Sequence, residues 1–474
     1  MKKSISLIIG GLLLFGFGCR KIEVDGDGTG NNGGGNTEGT ILSGKISADR
    51  TLKASNTYTL RGLVYVTDGA TLTIEPGTKI VGEKTTRGAL IVTRGCKLIA
   101  NGTADKPILF TSDQANPQRG DWAGVVIIGR ARTNANVVLN GVTVWGQGEA
   151  EGGINDASGN GLFGGTDDAD NSGSLKYVRI EYGGYAFLPD KELNGLGLYA
   201  LGSGTTIDYV QVSYANDDSF ECFGGTVNLS HLIAYKGLDD DLDTDNGYSG
   251  KVQFVIVQRD SSVADVSGSN GWESDNDANG SAVTTPSGLT KPLPQTSAVY
   301  SNVTLIGPRA TLTNTGNSLY RNAAQIRRNS SISIFNSVMM GWPTGLLIDA
   351  STGRATDLNI TPDNALQIQN LTIAGCNTSL KYTVSSTPTG WDQTAMSTWF
   401  NTASYSNSIL TNASDVKLAD AFNHTGNPDY TPQTGSPLLG SASFSNTKLA
   451  GFTQVTYRGA VGTGDTWWKG WTKF

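Results

Sequence analysis

Charge is scarce in this chain. Only 16% of its 474 residues are charged, and the balance is negative, 35 basic against 42 acidic for a net charge of −7. An acidic chain of this kind argues against nucleic acid and against anionic lipid as binding partners. Histidine is scarcer still: His231 and His424 are the only two, and neither sits in a recognisable catalytic motif. The four cysteines, Cys19, Cys96, Cys222 and Cys376, are widely spaced and form no Cys-x-x-Cys pair, which excludes a disulfide framework or a zinc centre. The last three read as buried thiols in separate strands. Helical periodicity is nearly absent. The one exception is Asp392–Ala403, where Met396, Trp399 and Phe400 share a face. Proline is sparse (14) against abundant glycine (62), a turn-rich balance that suits an all-β chain.

Residues 1–18 read as an export signal, to be set apart from the fold. Lys2 and Lys3 supply its positive start and Ser6–Gly18 an apolar run too short to span a bilayer. The run ends in Gly16-Phe17-Gly18-Cys19, which resembles a bacterial lipoprotein signal with Cys19 as the lipidated first residue; the usual leucine three positions before the cysteine is missing, and Leu14 lies further back. Residues 19–40 follow as a Gly/Asn/Asp tether that cannot bury enough apolar surface to fold, with a root-mean-square span of roughly 25 Å. Glu23, Asp25 and Asp27 resemble the acidic signal that sends Bacteroidota lipoproteins to the outer cell surface. The expectation is an exported outer-membrane lipoprotein facing outward, held to the membrane by its N-terminal lipid.

In place of helices the chain has repetition. Val66–Leu72 aligns with Val92–Leu98 at an offset of 26 residues, each copy running from β-branched and apolar residues through a Gly turn into a second short strand. Units this small must stack to bury a core. Tyr177–Tyr182 resembles Tyr209–Tyr214, and apolar alternation recurs at His231–Tyr235, Gln253–Val257, Ser301–Ile306, Ser331–Phe335 and Asn370–Ala374. These features define an all-β parallel β-helix over residues 41–474. Gly39–Leu60 is expected to cover its open N-terminal end. Gln147–Ser174 is expected to leave the body as an excursion. The aromatic segment Tyr457–Phe474 is expected to cap the C-terminal end, with a sugar platform as the alternative use of its tryptophans.

Three coils share a second pattern. Asp217-Asp218-Ser219-Phe220-Glu221, Asp239-Asp240-Asp241-Leu242-Asp243-Thr244-Asp245 and Gly271-Trp272-Glu273-Ser274-Asp275 align at offsets of 22 and 30 residues. Alternation turns Phe220, Leu242 and Trp272 inward and stacks Glu221, Asp243 and Glu273 outward, with Asp245 over Asp275. Parallel strands lie about 4.8 Å apart. Carboxylates at that spacing repel until one takes up a proton or a cation sits between them. Between Ala215 and Gly247 eight acids meet one lysine, Lys236, a local charge of −7. Such an excess of hard oxygen donors suits Ca2+, with Asp217, Asp218, Glu221, Asp239, Asp240, Asp241, Asp243, Asp245, Glu273 and Asp275 as the ligand pool. The spacing is not that of an EF-hand. The competing reading is a solvated or hydrogen-bonded acidic face. An enzyme reading also exists. Paired carboxylates hydrolyse glycosides, and a calcium-bridged acidic sugar is open to β-elimination with Lys236, Lys251 or Arg259 as base. Of the Asn-x-Asp, Asp-Asp, Gly-His-Gly and Arg-x-Lys set of β-helix polygalacturonases, only acid pairs such as Asp217-Asp218 match, so no catalytic residue is assigned.

The phrases GATLTIEPGTKIVG, GDWAGVVIIG, NDDSFECFGGTVN, DDDLDTDNGYSGKVQF, NGWESDN and the closing YRGA and GWTKF resemble a family of uncharacterised Bacteroidota surface lipoproteins with a pectin-lyase-like fold. The resemblance runs from about Gly62 to the last residue. It implies a single-stranded right-handed parallel β-helix, a solenoid with loop excursions and terminal caps, and a cell-surface location, but no reaction. The expected function is binding of a carbohydrate or a surface partner, calcium-dependent at the acidic ladder. The alternatives are a polysaccharide lyase or glycoside hydrolase acting there, and an accessory lipoprotein of an outer-membrane transporter.

Overall fold

The structure, a computed structural model, describes residues 39–188, 191–281, 294–314, 316–424 and 426–474. The export signal, Cys19 and all of the tether but Gly39 and Thr40 lie outside the described residues. Each coil lays down up to three short strands, and successive coils pair in parallel into one 26-stranded sheet wrapped round an axis. The expected parallel β-helix is the fold observed.

Three inward columns fill the axis. On the first face Ile74, Ala100, Leu175, Ile207, Leu229 and Val252 stack in register. On the second, Ile80, Phe110, Ile180, Val212, Ala234 and Val257 do the same. On the third, Leu90, Val125, Leu196, Phe220, Leu242, Trp272, Ala324 and Leu346 form the column. All of these side chains are buried, and they belong to one continuous core. Cys96, Cys222 and Cys376 are buried free thiols, as expected.

The corner between the first and second faces is one residue wide. Tyr177, Tyr209, His231, Phe254, Asn302, Asn336 and Asn370 all have φ between 47° and 61° there, with values of 50, 55, 51, 60, 57, 48 and 57°. A left-handed residue inside a strand turns the chain sharply and throws its side chain outward; asparagine and histidine tolerate that conformation better than most. The rings stack along the corner, at 4.4 Å for Tyr177–Tyr209, 4.2 Å for Tyr209–His231 and 5.0 Å for His231–Phe254.

The ends differ from expectation. Ile41–Ile46 pairs in parallel with Thr57–Val66 and buries Leu42 and Ile46, so the segment from Gly39 to Leu60 is the first coil rather than a cover over it. The short helix α1, Gln393–Phe400, starts where the Asp392 side chain accepts the Ala395 N–H at 2.7 Å. It buries Met396 and Phe400 against the core beside the last third-face strand, Thr378–Thr383, and so closes the C-terminal end. The aromatic tail and the stretch before it instead run back along the flank. Carbonyls at Ser441, Ser443 and Tyr457 accept from the corner amides of Asn370, Asn336 and Asn302 at 3.1, 3.0 and 2.8 Å. Lys473 meets Gln211, and Trp471 packs edge-on to Tyr177 and Tyr209. Trp468 and Trp471 are buried, which fits a covering role and not a sugar platform.

Candidate cation centre on the third face

The acidic ladder forms as the alternation dictates. Glu221, Asp243 and Glu273 lie in register on successive strands Phe220–Phe223, Leu242–Asp245 and Trp272–Ser274, pointing away from the core. The row continues through Gln325, Leu347 and Lys381.

A second row lies three residues upstream, at the turn into each strand. There Asp218, Asp240, Asn270 and Asn322 each follow one another from coil to coil. The Asp218 Oδ1 accepts the Asp240 N–H at 2.9 Å, Asp240 accepts the Asn270 N–H, and Asn270 Oδ1 accepts the Asn322 N–H at 3.2 Å. Where the turn residue is asparagine, its amide also serves the outward row: Asn270 Nδ2 donates to Glu273 at 3.1 Å and Asn322 Nδ2 to Gln325 at 3.0 Å. Aspartate has no such donor. In the two middle coils Asp218 faces Glu221 and Asp240 faces Asp243, acid against acid. Asp243 Oδ1 is buried there with no hydrogen-bond donor.

The structure sorts the sequence-derived ligand pool. Asp218, Glu221 and Asp243 bring one oxygen each within 4.8 Å of one another; so do Asp240, Asp243 and Glu273, and so do Asp217, Asp218 and Asp239. Asp241 is not part of this set. It precedes the strand, where the chain is still turning, and its side chain is fully buried in an ion pair with Arg259 at 3.0 Å. Asp275 is neutralised by Arg327 at 2.8 Å and Arg328 at 2.6 Å, and Arg327 also reaches Glu273. Asp245 accepts the neighbouring Asn246 N–H.

Burial first, and like-charged neighbours second, push the Asp218, Glu221, Asp243 and Glu273 carboxyls well above the ordinary carboxylate range. Asp239 rises to about 8 and Asp245 to about 7, for the same reasons in the same order. Two further acids that sequence reasoning passed over, Glu151 and Glu192, join the cluster. Glu151, from the excursion, rises to about 7 through burial and the nearby Asp245 and Glu192. The flanking residues explain why the excursion lands here: Ala150 and Ile154 pack in one apolar cluster with Leu193, Tyr199 and Phe223. The excursion was legible as a loop, but nothing in its composition says which face it meets.

Residues 44–472 match the family described as a pectate-lyase-like beta-helix domain. The chain belongs to this family. A search of curated proteins found no match. In this β-helix the acidic row opens at one end into a trough of about 630 Å³. Asp239, Asp240, Asn270 and Glu273 line its acidic end, and Arg321, Arg327 and Lys381 its basic side. Its floor follows the outward row from Glu273 to Lys381 across four successive strands. An elongated polar groove lying along a solenoid fits an extended polar chain better than a compact apolar ligand.

Proposed function

We propose that this protein binds carbohydrate in the third-face trough, through a calcium ion held by Asp240, Asp243 and Glu273. The reading rests on the exchange of asparagine for aspartate in the turn row: Asn270 and Asn322 serve the outward row of their own coils, whereas Asp240 offers Asp243 no donor and leaves its Oδ1 buried and unpartnered next to the open groove. The donor set is all hard oxygen, which suits calcium over softer metals. A cation at the acidic end and Arg321, Arg327 and Lys381 along the side favour a sugar chain that carries carboxylates.

The test is glycan binding by the purified protein with calcium and with chelator, comparing uronate oligosaccharides with neutral ones. Calcium-dependent retention of the uronates supports the reading. Equal binding in chelator, or none in calcium, sinks it. Release of new reducing or unsaturated ends would move the assignment to a hydrolase or lyase. We further propose that Cys19 carries lipid and holds the β-helix at the outer cell surface. Labelled palmitate incorporation should be lost in Cys19→Ala, and protease added to whole cells should degrade the wild-type protein.

A further inference from the structure

We propose a second, closed cation site one coil away from the trough, made by Asp218, Glu221 and Asp243 with the amide oxygen of Asn194. This rests on the reading of the third face as cation-binding, and differs from it in place and purpose: the trough ion meets ligand, whereas this ion is enclosed and structural.

The geometry distinguishes the two. Asp240 and Glu273 line the trough, and Asp218 and Glu221 do not. Asp218 and Glu221 are 7% and 8% exposed. Their oxygens and one from Asp243 lie within 4.8 Å of one another, and Asp243 is shared with the trough group. An independent observation comes from Asn194, which precedes the strand Leu196–Tyr199 and is only 1% exposed. Its Nδ2 donates to Glu221 Oε2, while its Oδ1 is buried with no donor. The two atoms of a planar amide are about 2.3 Å apart, so this oxygen sits within about 5 Å of the Glu221 carboxylate. A neutral oxygen stripped of water and placed against carboxylates is costly, and a cation among them supplies the partner it lacks.

The surroundings also favour one. The excursion carries Glu151 over this coil, held by the packing of Ala150 and Ile154 against Leu193 and Tyr199. Among the described residues no lysine or arginine forms an ion pair with Glu151, Glu221 or Asp218, and Arg327 acts on Asp243 only from beyond ion-pair distance. Elsewhere the same excursion is tied down by opposite charges, Arg130–Asp170 at 3.1 Å and Arg132–Asp168. An acid docked on an acid row is stabilised by positive charge beneath it. Protein oxygens fall short of the six to eight that calcium takes, and water supplies the remainder.

Calcium alone is the probe, with ions per chain counted by native mass spectrometry or equilibrium dialysis of the full chain. The wild type should hold two ions. Asp218→Asn/Glu221→Gln should hold one and lose the calcium-dependent protection of the excursion against protease, with calcium-dependent glycan retention still detectable. Asp240→Asn/Glu273→Gln should hold one, keep that protection and lose glycan retention. The proposal is overturned if the wild type holds a single ion that only Asp240→Asn/Glu273→Gln removes, an outcome that leaves the trough reading standing. It is equally overturned if Asp218→Asn/Glu221→Gln changes neither the count nor the proteolysis. A wild type that holds no ion sinks both readings.

Discussion

Asp243 belongs to both carboxylate groups, so replacing it with asparagine should change stability in opposite directions with and without calcium. Its strand neighbours Glu221 and Glu273 lie one spacing above and below, about 4.8 Å away. Two unit charges at that distance cost about 3.5 kcal/mol at an effective dielectric of 20. Glu273 is offset by Arg327, which leaves the repulsion with Glu221 along the row, and Asp218 and Asp240 add to it. At pH 8 in chelator Asp243→Asn should therefore be more stable than wild type by at least about 3.5 kcal/mol. Scaled to the folded body Thr40–Phe474, that is a rise of about 4 °C in Tm. Each calcium ion stabilises the wild type by RT ln(1 + [Ca2+]/Kd), about 4.1 kcal/mol at a thousandfold excess over Kd. With both ions lost in the variant and similar Kd values, the two Tm curves should cross at roughly 20 times Kd, the wild type above the variant beyond that point. Differential scanning fluorimetry across a calcium series reads this directly. If Asp243→Asn loses stability equally in calcium and in chelator, the carboxylate is satisfied by something other than a cation and the argument from stacked acids fails.

Other perturbations follow the same physical reasoning. Calcium affinity should fall as pH drops through 8 to 6, because Asp239 and Asp245, beside the ligands and raised to about 8 and about 7, take up protons there and withdraw negative charge from the sites; titration calorimetry at three pH values checks it. The metal-free protein should show the reverse trend. A group whose folded pKa is raised contributes stability below its unfolded pKa and loses it as pH rises through the folded value, so Tm in chelator should decline toward pH 8. Arg259→Ala strands the fully buried Asp241 and should cost about 3–5 kcal/mol, measured by chemical denaturation. Phe400→Ala removes a wholly buried ring from α1 at a cost of about 3–5 kcal/mol. It should also uncover the terminal strands, so light scattering should report aggregation before global unfolding.

The parts of the fold that repeat at period two were readable in the sequence. Phe220, Leu242 and Trp272 fell inward and Glu221, Asp243 and Glu273 outward because a strand with a buried face has no freedom to slip by one residue. The corners were not readable. A single left-handed residue such as His231 or Asn302 looks like ordinary alternation until the backbone turns. Asp241 misled for a related reason: it stands in the turn, outside the strand Leu242–Asp245, where alternation does not apply. The salt bridge from Arg327 to Glu273 joins residues one coil apart, yet the two are far apart in sequence. Glu151 and the flanking tail were the hardest. Both are segments whose docking is set by a surface assembled from many coils, and an aromatic C-terminus such as Trp467–Phe474 serves an end or a side equally well until that surface exists.

Crystals of the protein grown with calcium, and measured where calcium scatters anomalously, test the central claim most directly. Two anomalous peaks are expected on the third face, one among Asp218, Glu221, Asp243 and Asn194 and one among Asp240, Asp243 and Glu273, each with carboxylate oxygens at about 2.3–2.6 Å. A map with no anomalous peak along this row, its acids held by water or by shared protons at millimolar calcium, would contradict it.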